Sequence, residues 1–197
     1  MAHHLSCDCD EGKKKDNAPS IGKELLDSRS IIISEEISEE LAQSVYAQLI
    51  ILNQRSQTDP VTVYINSPGG DADSGFGIYD MLKFIQAPVR TVVSGLCASA
   101  AVTIFLAAEK GKNVALPNAR FLLHQPSTGI RGSASDIQIT ADEINKTRDR
   151  YNQIVCDVTG KSIDAIAKDA DRDFWLSAED AVKYGLVSRI VRSVKEL

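Results

Sequence analysis

Histidine is scarce in this sequence, and its positions narrow the chemistry the chain can perform. Of three histidines in 197 residues, two lie among the first four residues and the third is His124. His124 directly follows the apolar run 121–123 and precedes Gln-Pro, so it lies where a predicted strand meets a loop. Histidine titrates near neutral pH and is the usual general base of acyl-transfer enzymes. The alternative is a structural histidine held by hydrogen bonds.

Ser99 is the candidate nucleophile that such a base would activate. It lies in the small-residue segment SGLCASAA at 94–101, between a predicted strand and an apolar helix. The first turn of a helix offers unpaired N–H groups and a positive dipole end, which favour a developing oxyanion. An ordinary helix-capping serine would occupy the same position. The G-x-S-x-G elbow is absent, so the sequence does not favour an α/β-hydrolase.

A pair of glycines and a group of acidic residues are candidates to complete a catalytic site. Gly69 and Gly70 follow a predicted strand, and such a turn can aim a backbone N–H at an oxyanion. A plain strand-to-helix turn is the alternative, and phosphate binding is less favoured because no Gly-Lys-Ser/Thr follows. The acidic partner of a histidine could be Asp169, Asp171 or Asp173, and the residues alone do not rank them.

The elements that must position these residues alternate between strands and helices. β-branched runs predict strands at 31–33, 61–65, 89–93 and 121–123. Helical periods and end signals predict helices at 36–55, 73–85, from 99, 135–158, 162–168 and 177–184, with a last strand at 186–194. This alternation predicts an α/β fold. The helix at 135–158 opens with a capping-box pattern at Ser135 and is long and mostly polar, so we expect it to project and contact a partner.

Composition predicts a flexible polar tail at 1–20 and a single folded domain at 21–197. A net charge of −5 gives no reason to expect nucleic acid. The longest apolar stretch, 98–108, is shorter than the roughly 20 residues that span a bilayer, so we expect no membrane span and a cytoplasmic protein. Cys7 and Cys9 lie near two histidines, but their spacing is a weak zinc pattern, and we expect no metal.

Four motifs, taken together, resemble the proteolytic subunit of the Clp protease family. They are NSPGG at 66–70, GLCASA at 95–100, HQP at 124–126, and DRD at 171–173 with LSA at 176–178. Their order and spacing match over about residues 24–192. The resemblance implies a crotonase/ClpP-like ββα spiral with a projecting handle helix at the long polar segment. It also implies a serine endopeptidase that needs no metal or organic cofactor.

The resemblance also implies roles for individual residues. Ser99 matches the family's nucleophile, His124 its general base, and Asp173 the acid that orients the imidazole. Gly70 and Ala100 match the residues whose backbone N–H groups form the oxyanion hole. The family usually has methionine where this chain has Ala100, but a backbone donor tolerates that change.

Partners follow from the same resemblance. It implies self-assembly into heptameric rings that stack as a tetradecamer, an AAA+ unfoldase ATPase, and unfolded polypeptide substrates. Asp171 and Arg172 resemble the pair that couples ring assembly to the site, and Tyr64 and Phe84 resemble part of the ATPase-docking pocket. Residues 1–20 share no pattern with the family's gating loops, so we expect a divergent paralogue that assembles with a second Clp proteolytic subunit.

Three alternatives belong to other functional classes. A catalytically weak or structural Clp-type subunit would need a paralogous partner ring. A crotonase-type acyl-CoA enzyme would share the fold but would require no serine–histidine pair. A non-enzymatic interaction protein would leave the single histidine of the folded body and the double glycine unexplained.

Overall fold

The computed structural model describes residues 20–197, in which helices and strands alternate along the chain. The helices are α1 Ile21–Asp27, α2 Glu39–Arg55, α3 Ala72–Phe84, α4 Ala100–Phe105, α5 Ala134–Thr159, α6 Ile163–Asp169 and α7 Ala178–Tyr184. The strands are β1 Ser30–Ile33, β2 Val61–Ser67, β3 Val89–Ala98, β4 Asn113–Ala115, β5 Arg120–Leu123, β6 Phe174–Ser177 and β7 Arg189–Ile190. The predicted α/β class is therefore confirmed. The predicted tail, apart from Ser20, and the Cys7–Cys9 pair lie outside the described residues.

One mostly parallel sheet organises these elements. Its strands follow the order β1-β2-β3-β4-β7, and all of these neighbours are parallel. β5 joins the side of β3 in parallel, and β6 pairs with β5 in the antiparallel direction. Parallel neighbours require crossovers, which the intervening helices supply. β3 therefore has two different partners on one side, β4 along its first half and β5 along its last residues.

A bend in β3 separates these two halves. Gly95 has φ +114°, and a Cβ there would lie 2.6 Å from Asn66 Oδ1. The same amide oxygen accepts a hydrogen bond from the Leu96 N–H at 2.9 Å. The prediction that this strand ends at Val93 was wrong, because the contact with Asn66 lets the chain bend at glycine and continue in the sheet. The bent half of β3 leads directly to Ser99.

The core lies between the sheet and the helices that pack on it. Four apolar residues that recur every three or four positions along α2 are all buried: Leu41, Val45, Leu49 and Leu52. α4 is buried along its whole length, which is consistent with a helix that is apolar on all sides. Burying a side chain such as Phe105 or Phe121 contributes about 1.5–3 kcal/mol. α4 therefore has little freedom to move relative to the sheet.

The long helix α5 is buried only near its end, at Tyr151, Asn152, Ile154 and Val155. Its first half is exposed, including Ile137 and Ile139. The predicted cap at Ser135 was wrong, because Ser133 is the N-cap and forms a capping box with Asp136.

Three further details bear on the predictions. The predicted strand 186–194 is reduced to Arg189–Ile190 and is followed by a short 3-10 helix, Val194–Glu196. β4 and β6 were not predicted. Within residues 20–197, none of the helices combines the length and the apolarity that crossing a membrane would require.

Candidate active site

The pairing of β3 with β5 determines where Ser99 lies. Ala98 is opposite Leu122 in the parallel register, and the Ser99 N–H donates to the Leu122 carbonyl oxygen at 2.9 Å. α4 begins at the next residue, Ala100. Ser99 is thus held between the end of strand β3 and the N-terminus of a buried helix, a position that fixes its backbone on both sides.

The backbone of Ser99 is strained. Its φ is +54° and its ψ −127°, a region that residues with a Cβ rarely occupy and that costs of order 1–3 kcal/mol. Although Ser99 is at the N-cap position, its side chain accepts no capping hydrogen bond from α4. An ordinary capping serine would be extended and would make that bond. The geometry therefore disfavours the capping interpretation and leaves the hydroxyl free for another role.

His124 and Asp173 face each other across the β5–β6 pair. Leu123 is opposite Phe174 in the antiparallel register, so His124 and Asp173 are the next pair beyond the ladder. His124 Nδ1 lies 3.9 Å from Asp173 Oδ1, which is longer than a hydrogen bond. The histidine side chain is 28% exposed and the aspartate side chain 66% exposed.

The other two acidic candidates have different partners. Asp169 Oδ2 accepts the Tyr184 hydroxyl at 2.8 Å. Burial raises the pKa of Tyr184, and the bond to Asp169 raises it further, so the hydroxyl stays protonated as the donor. Asp171 is contacted by the Gln125 side chain. Of the three, Asp173 is the carboxylate that the structure brings to the histidine.

The double-glycine turn lies against Ser99. A Cβ on Gly69 would lie 2.7 Å from Ser99 Cβ and 2.6 Å from the Ala98 carbonyl oxygen. Gly69 and Gly70 have φ +90° and +145°, which other residues rarely adopt. The turn is anchored on its far side, where the Ile37 N–H donates to the Gly69 carbonyl at 2.8 Å. Glycine is required at both positions by sterics as well as by φ.

The two N–H groups predicted to bind an oxyanion belong to residues that line one pocket with Ser99. Gly70 and Ala100 both contribute to its wall. Among the hydrogen bonds of residues 20–197, neither N–H has a protein acceptor outside regular helix and strand pairing. The fold therefore commits neither N–H to a protein acceptor outside regular pairing, as an oxyanion donor requires.

The pocket has a volume of about 460 Å³ and contains both Ser99 and His124. No hydrogen bond joins the Ser99 hydroxyl to His124 within the part of the chain that the structure describes. Such contacts are often long without substrate and shorten in the reacting complex. The remaining lining residues are Pro68, Asp71, Ala72, Phe76, Thr103, Pro126, Ser127, Thr128, Ile144, Thr147 and Tyr151.

Sequence reasoning missed part of this wall. Ile144, Thr147 and Tyr151 come from α5, which was predicted only to project and contact a partner. Their spacing of three and four residues marks one helix face, and this spacing was the available signal. One helix thus both projects from the body and closes the pocket.

The remaining predicted residues lie apart from the pocket. Asp171 and Arg172 are exposed, with Arg172 Nε 3.9 Å from Asp171 Oδ2. Tyr64 lines a separate groove of about 270 Å³ with Val92, Leu116, Val191, Arg192, Ser193, Val194 and Leu197. Phe84 is 81% exposed and does not line that groove. Residues 20–197 contain no group of three or more His, Cys, Asp or Glu side chains arranged to hold a metal ion.

Comparison with known proteins settles the family. The model of the Clp protease family matches residues 13–194. The chain belongs to the Clp protease family. A protein of Rhizobium meliloti named ATP-dependent Clp protease proteolytic subunit 3 is 50% identical over 194 residues, which cover 96% of this chain and 98% of that protein. The proteolytic subunit 2 of Treponema denticola is 44% identical and covers 95% of this chain and 94% of that protein.

A solved structure of the family confirms the predicted fold. A mutant form of ClpP1 from Listeria monocytogenes superposes with a TM-score of 0.83 and is 43% identical, covering 89% of this chain and 98% of that chain. The crotonase/ClpP-like α/β fold expected from the motifs is therefore the fold of this chain. Family membership supports a peptidase role.

Proposed function

We propose that this chain is a serine endopeptidase subunit of an ATP-dependent Clp protease, with Ser99, His124 and Asp173 as its catalytic triad. One observation carries the proposal: Ser99 has a strained backbone, makes no capping bond, and shares a pocket with the histidine. The same histidine faces an aspartate that immediately precedes the adjoining strand β6. This combination of nucleophile, base and orienting acid is the one that acyl transfer by serine requires.

The chemistry follows from these positions. His124 Nε2 accepts the Ser99 Oγ proton as the oxygen attacks a peptide carbonyl, and Asp173 keeps the other imidazole proton on Nδ1. The N–H groups of Gly70 and Ala100 donate to the oxyanion that forms. His124 then protonates the departing amine, and water hydrolyses the acyl-enzyme by the same steps. At the end of the cycle Ser99 and His124 have returned to their starting protonation states.

The acid is the weakest part of the arrangement in the single chain. At 3.9 Å, His124 Nδ1 and Asp173 Oδ1 are about 1 Å too far apart to share a strong hydrogen bond. Water also competes with His124 for the exposed Asp173 carboxylate. A neighbouring subunit packed near the exposed Asp171 and Arg172 would bring the carboxylate closer to the imidazole and exclude this water. We therefore propose that the assembled form is the active one. The resemblance to the Clp proteolytic subunit implies seven copies in each ring and two rings in a tetradecamer.

The numbered names of the relatives favour a second form of this proposal. The numbers 2 and 3 in the names of these relatives indicate that several kinds of proteolytic subunit act together. One ring of the active particle would then consist of a paralogous subunit. Unfolded polypeptides would be delivered by an AAA+ ATPase. The surface of this chain on which the ATPase docks would include the groove lined by Tyr64 and the exposed Phe84.

A fluorophosphonate probe tests the catalytic assignment. We expect the adduct to map to Ser99, to be absent in Ser99→Ala, and to form at least 100-fold more slowly in His124→Ala. Ser44→Ala, on the exposed face of α2, is the matched control and should label normally. The labelling is measured on the chain alone and mixed with a paralogous subunit. An adduct on another residue, or no adduct in any assembled state, would overturn the proposal.

A further inference from the structure

Gln125 connects the segment after β5, which carries His124, to the loop that carries Asp173. Its backbone N–H donates to the Ala170 carbonyl oxygen at 2.8 Å. Its side-chain Nε2 donates to the Asp171 carbonyl oxygen at 2.9 Å and reaches Asp171 Oδ1 at 3.4 Å. One residue next to the base therefore makes three contacts with the stretch of chain that leads to the acid.

The loop has few other restraints. Residues 171–173 are exposed and lie between the end of α6 and the start of β6, outside both elements. Within residues 20–197, the Gln125 amide is the one side chain from outside the loop that hydrogen-bonds this stretch of backbone. The β5–β6 ladder begins only at Phe174, one residue after the acid. The position of Asp173 is thus set by the ladder on one side and by Gln125 on the other.

We propose that Gln125 is a positioning residue that holds Asp173 against His124, an inference that rests on the triad proposed above. Gln125 touches neither the pocket nor the attacking atom, and acts by fixing the loop. Its amide also reaches the Asp171 carboxylate, whose other oxygen faces Arg172. If the Asp171–Arg172 pair moves on assembly, the Gln125 amide would transmit that movement to Asp173.

The central test combines Gln125 and Asp173 substitutions. Gln125→Ala should lower kcat for a fluorogenic peptide about tenfold and leave KM within twofold, because the amide orients the acid and does not bind substrate. In an Asp173→Asn background the same substitution should cost less than twofold, because no carboxylate remains to be oriented. Ser99 labelling by the fluorophosphonate should slow in parallel with kcat.

Two further variants control for structure. Gln125→Glu keeps the size of the side chain and replaces the donor by an acceptor facing the Asp171 oxygens, so it should be at least as impaired as the alanine variant. Gln48→Glu removes a similar amide donor, from the Ser44 carbonyl oxygen on α2, and should retain full activity. Sedimentation and thermal melting report whether each variant folds and assembles. If Gln125→Ala fails to fold, the comparison with and without Asp173 is made with Gln125→Glu.

The outcomes separate the two proposals. Equal losses in the wild-type and Asp173→Asn backgrounds, a changed KM, or an active Gln125→Glu would each overturn the role of Gln125 while leaving the triad in place. If Asp173→Asn itself retains wild-type kcat, the assigned acid is wrong and the inference fails with it. If Ser99 is not labelled in any protein of the series, the proposed function fails first.

Discussion

Gly69 offers the sharpest test of how the backbone holds the nucleophile. A Cβ at this position would lie 2.6 Å from the Ala98 carbonyl oxygen and 2.7 Å from Ser99 Cβ. Real Cβ atoms do not approach neighbours so closely, and one of the two atoms belongs to the backbone of a central strand. Gly69→Ala must therefore move either the glycine turn or the Ser99 segment.

The expected magnitude has two contributions. Placing a Cβ at φ +90° costs about 1–2 kcal/mol, and overpacking against fixed neighbours adds about 1–3 kcal/mol. Gly111→Ala isolates the first contribution, because Gly111 has φ +84° and nothing within 4 Å of its would-be Cβ. The unfolding free energy measured in urea should thus fall by roughly 2–5 kcal/mol for Gly69→Ala and by about 1–2 kcal/mol for Gly111→Ala.

Activity should separate the two variants more widely than stability does. Displacement of a reacting group by about 1 Å typically costs on the order of 100-fold, so Ser99 labelling in Gly69→Ala should slow by at least that factor. Gly111→Ala should label at the wild-type rate, since its loop is remote from the pocket lining. Equal stabilities and equal labelling rates for the two variants would show that the turn does not position Ser99.

Three other expectations concern the scaffold. Hydrogen bonds from Ser133 lower the pKa of Asp136 below its ordinary value of 3.8. The capping box therefore stabilises α5 fully at pH values above 3.8, and this stabilisation is lost as the pH falls through the lowered pKa. Asp136→Asn should therefore increase hydrogen exchange at the start of α5 at neutral pH, and the difference from wild type should vanish in acid. Burial raises the pKa of the Cys97 thiol, so iodoacetamide should modify it only after unfolding, and rapid modification of the native protein would contradict its burial. Thr91→Val removes the donor to the Phe105 carbonyl at the end of α4 and should lower the unfolding free energy in urea by about 1–3 kcal/mol, whereas an unchanged midpoint would show that this bond contributes nothing.

Regular elements were predictable where their signals are local. α2 repeats apolar residues every three or four positions, and those residues are buried. β3 was predicted too short because its continuation depends on Asn66, almost thirty residues earlier, contacting the bend at Gly95. β4 and β6 are only three and four residues long and exist because neighbouring strands pair with them. Pairing of this kind produces no hydrophobic periodicity in the sequence from which the strand could be predicted.

The site was predictable to the extent that residue types restrict its chemistry. His124 stood out because it is the one histidine beyond the first four residues, and Ser99 because it lies in a small-residue segment at the start of an apolar helix. The structure brings both to one pocket. The acid could not be ranked from the residues, since the choice depends on the register between β5 and β6. Gln125 was part of the HQP motif but was given no role, because an amide gains a role only when a particular loop lies opposite it.

The register explains why the acid is both well placed and weakly engaged. Antiparallel pairing at Leu123 and Phe174 fixes the backbones of the two adjoining residues, so His124 and Asp173 face each other without any contact of their own. It does not fix the aspartate side chain, which is more than half exposed and 3.9 Å from its partner. Water competes with the imidazole N–H for an exposed carboxylate, whereas a hydrogen bond shielded from water is electrostatically stronger. If the triad is the catalytic one, covering this side chain in a ring would therefore raise activity without moving the backbone, and isolated subunits would hydrolyse peptides slowly.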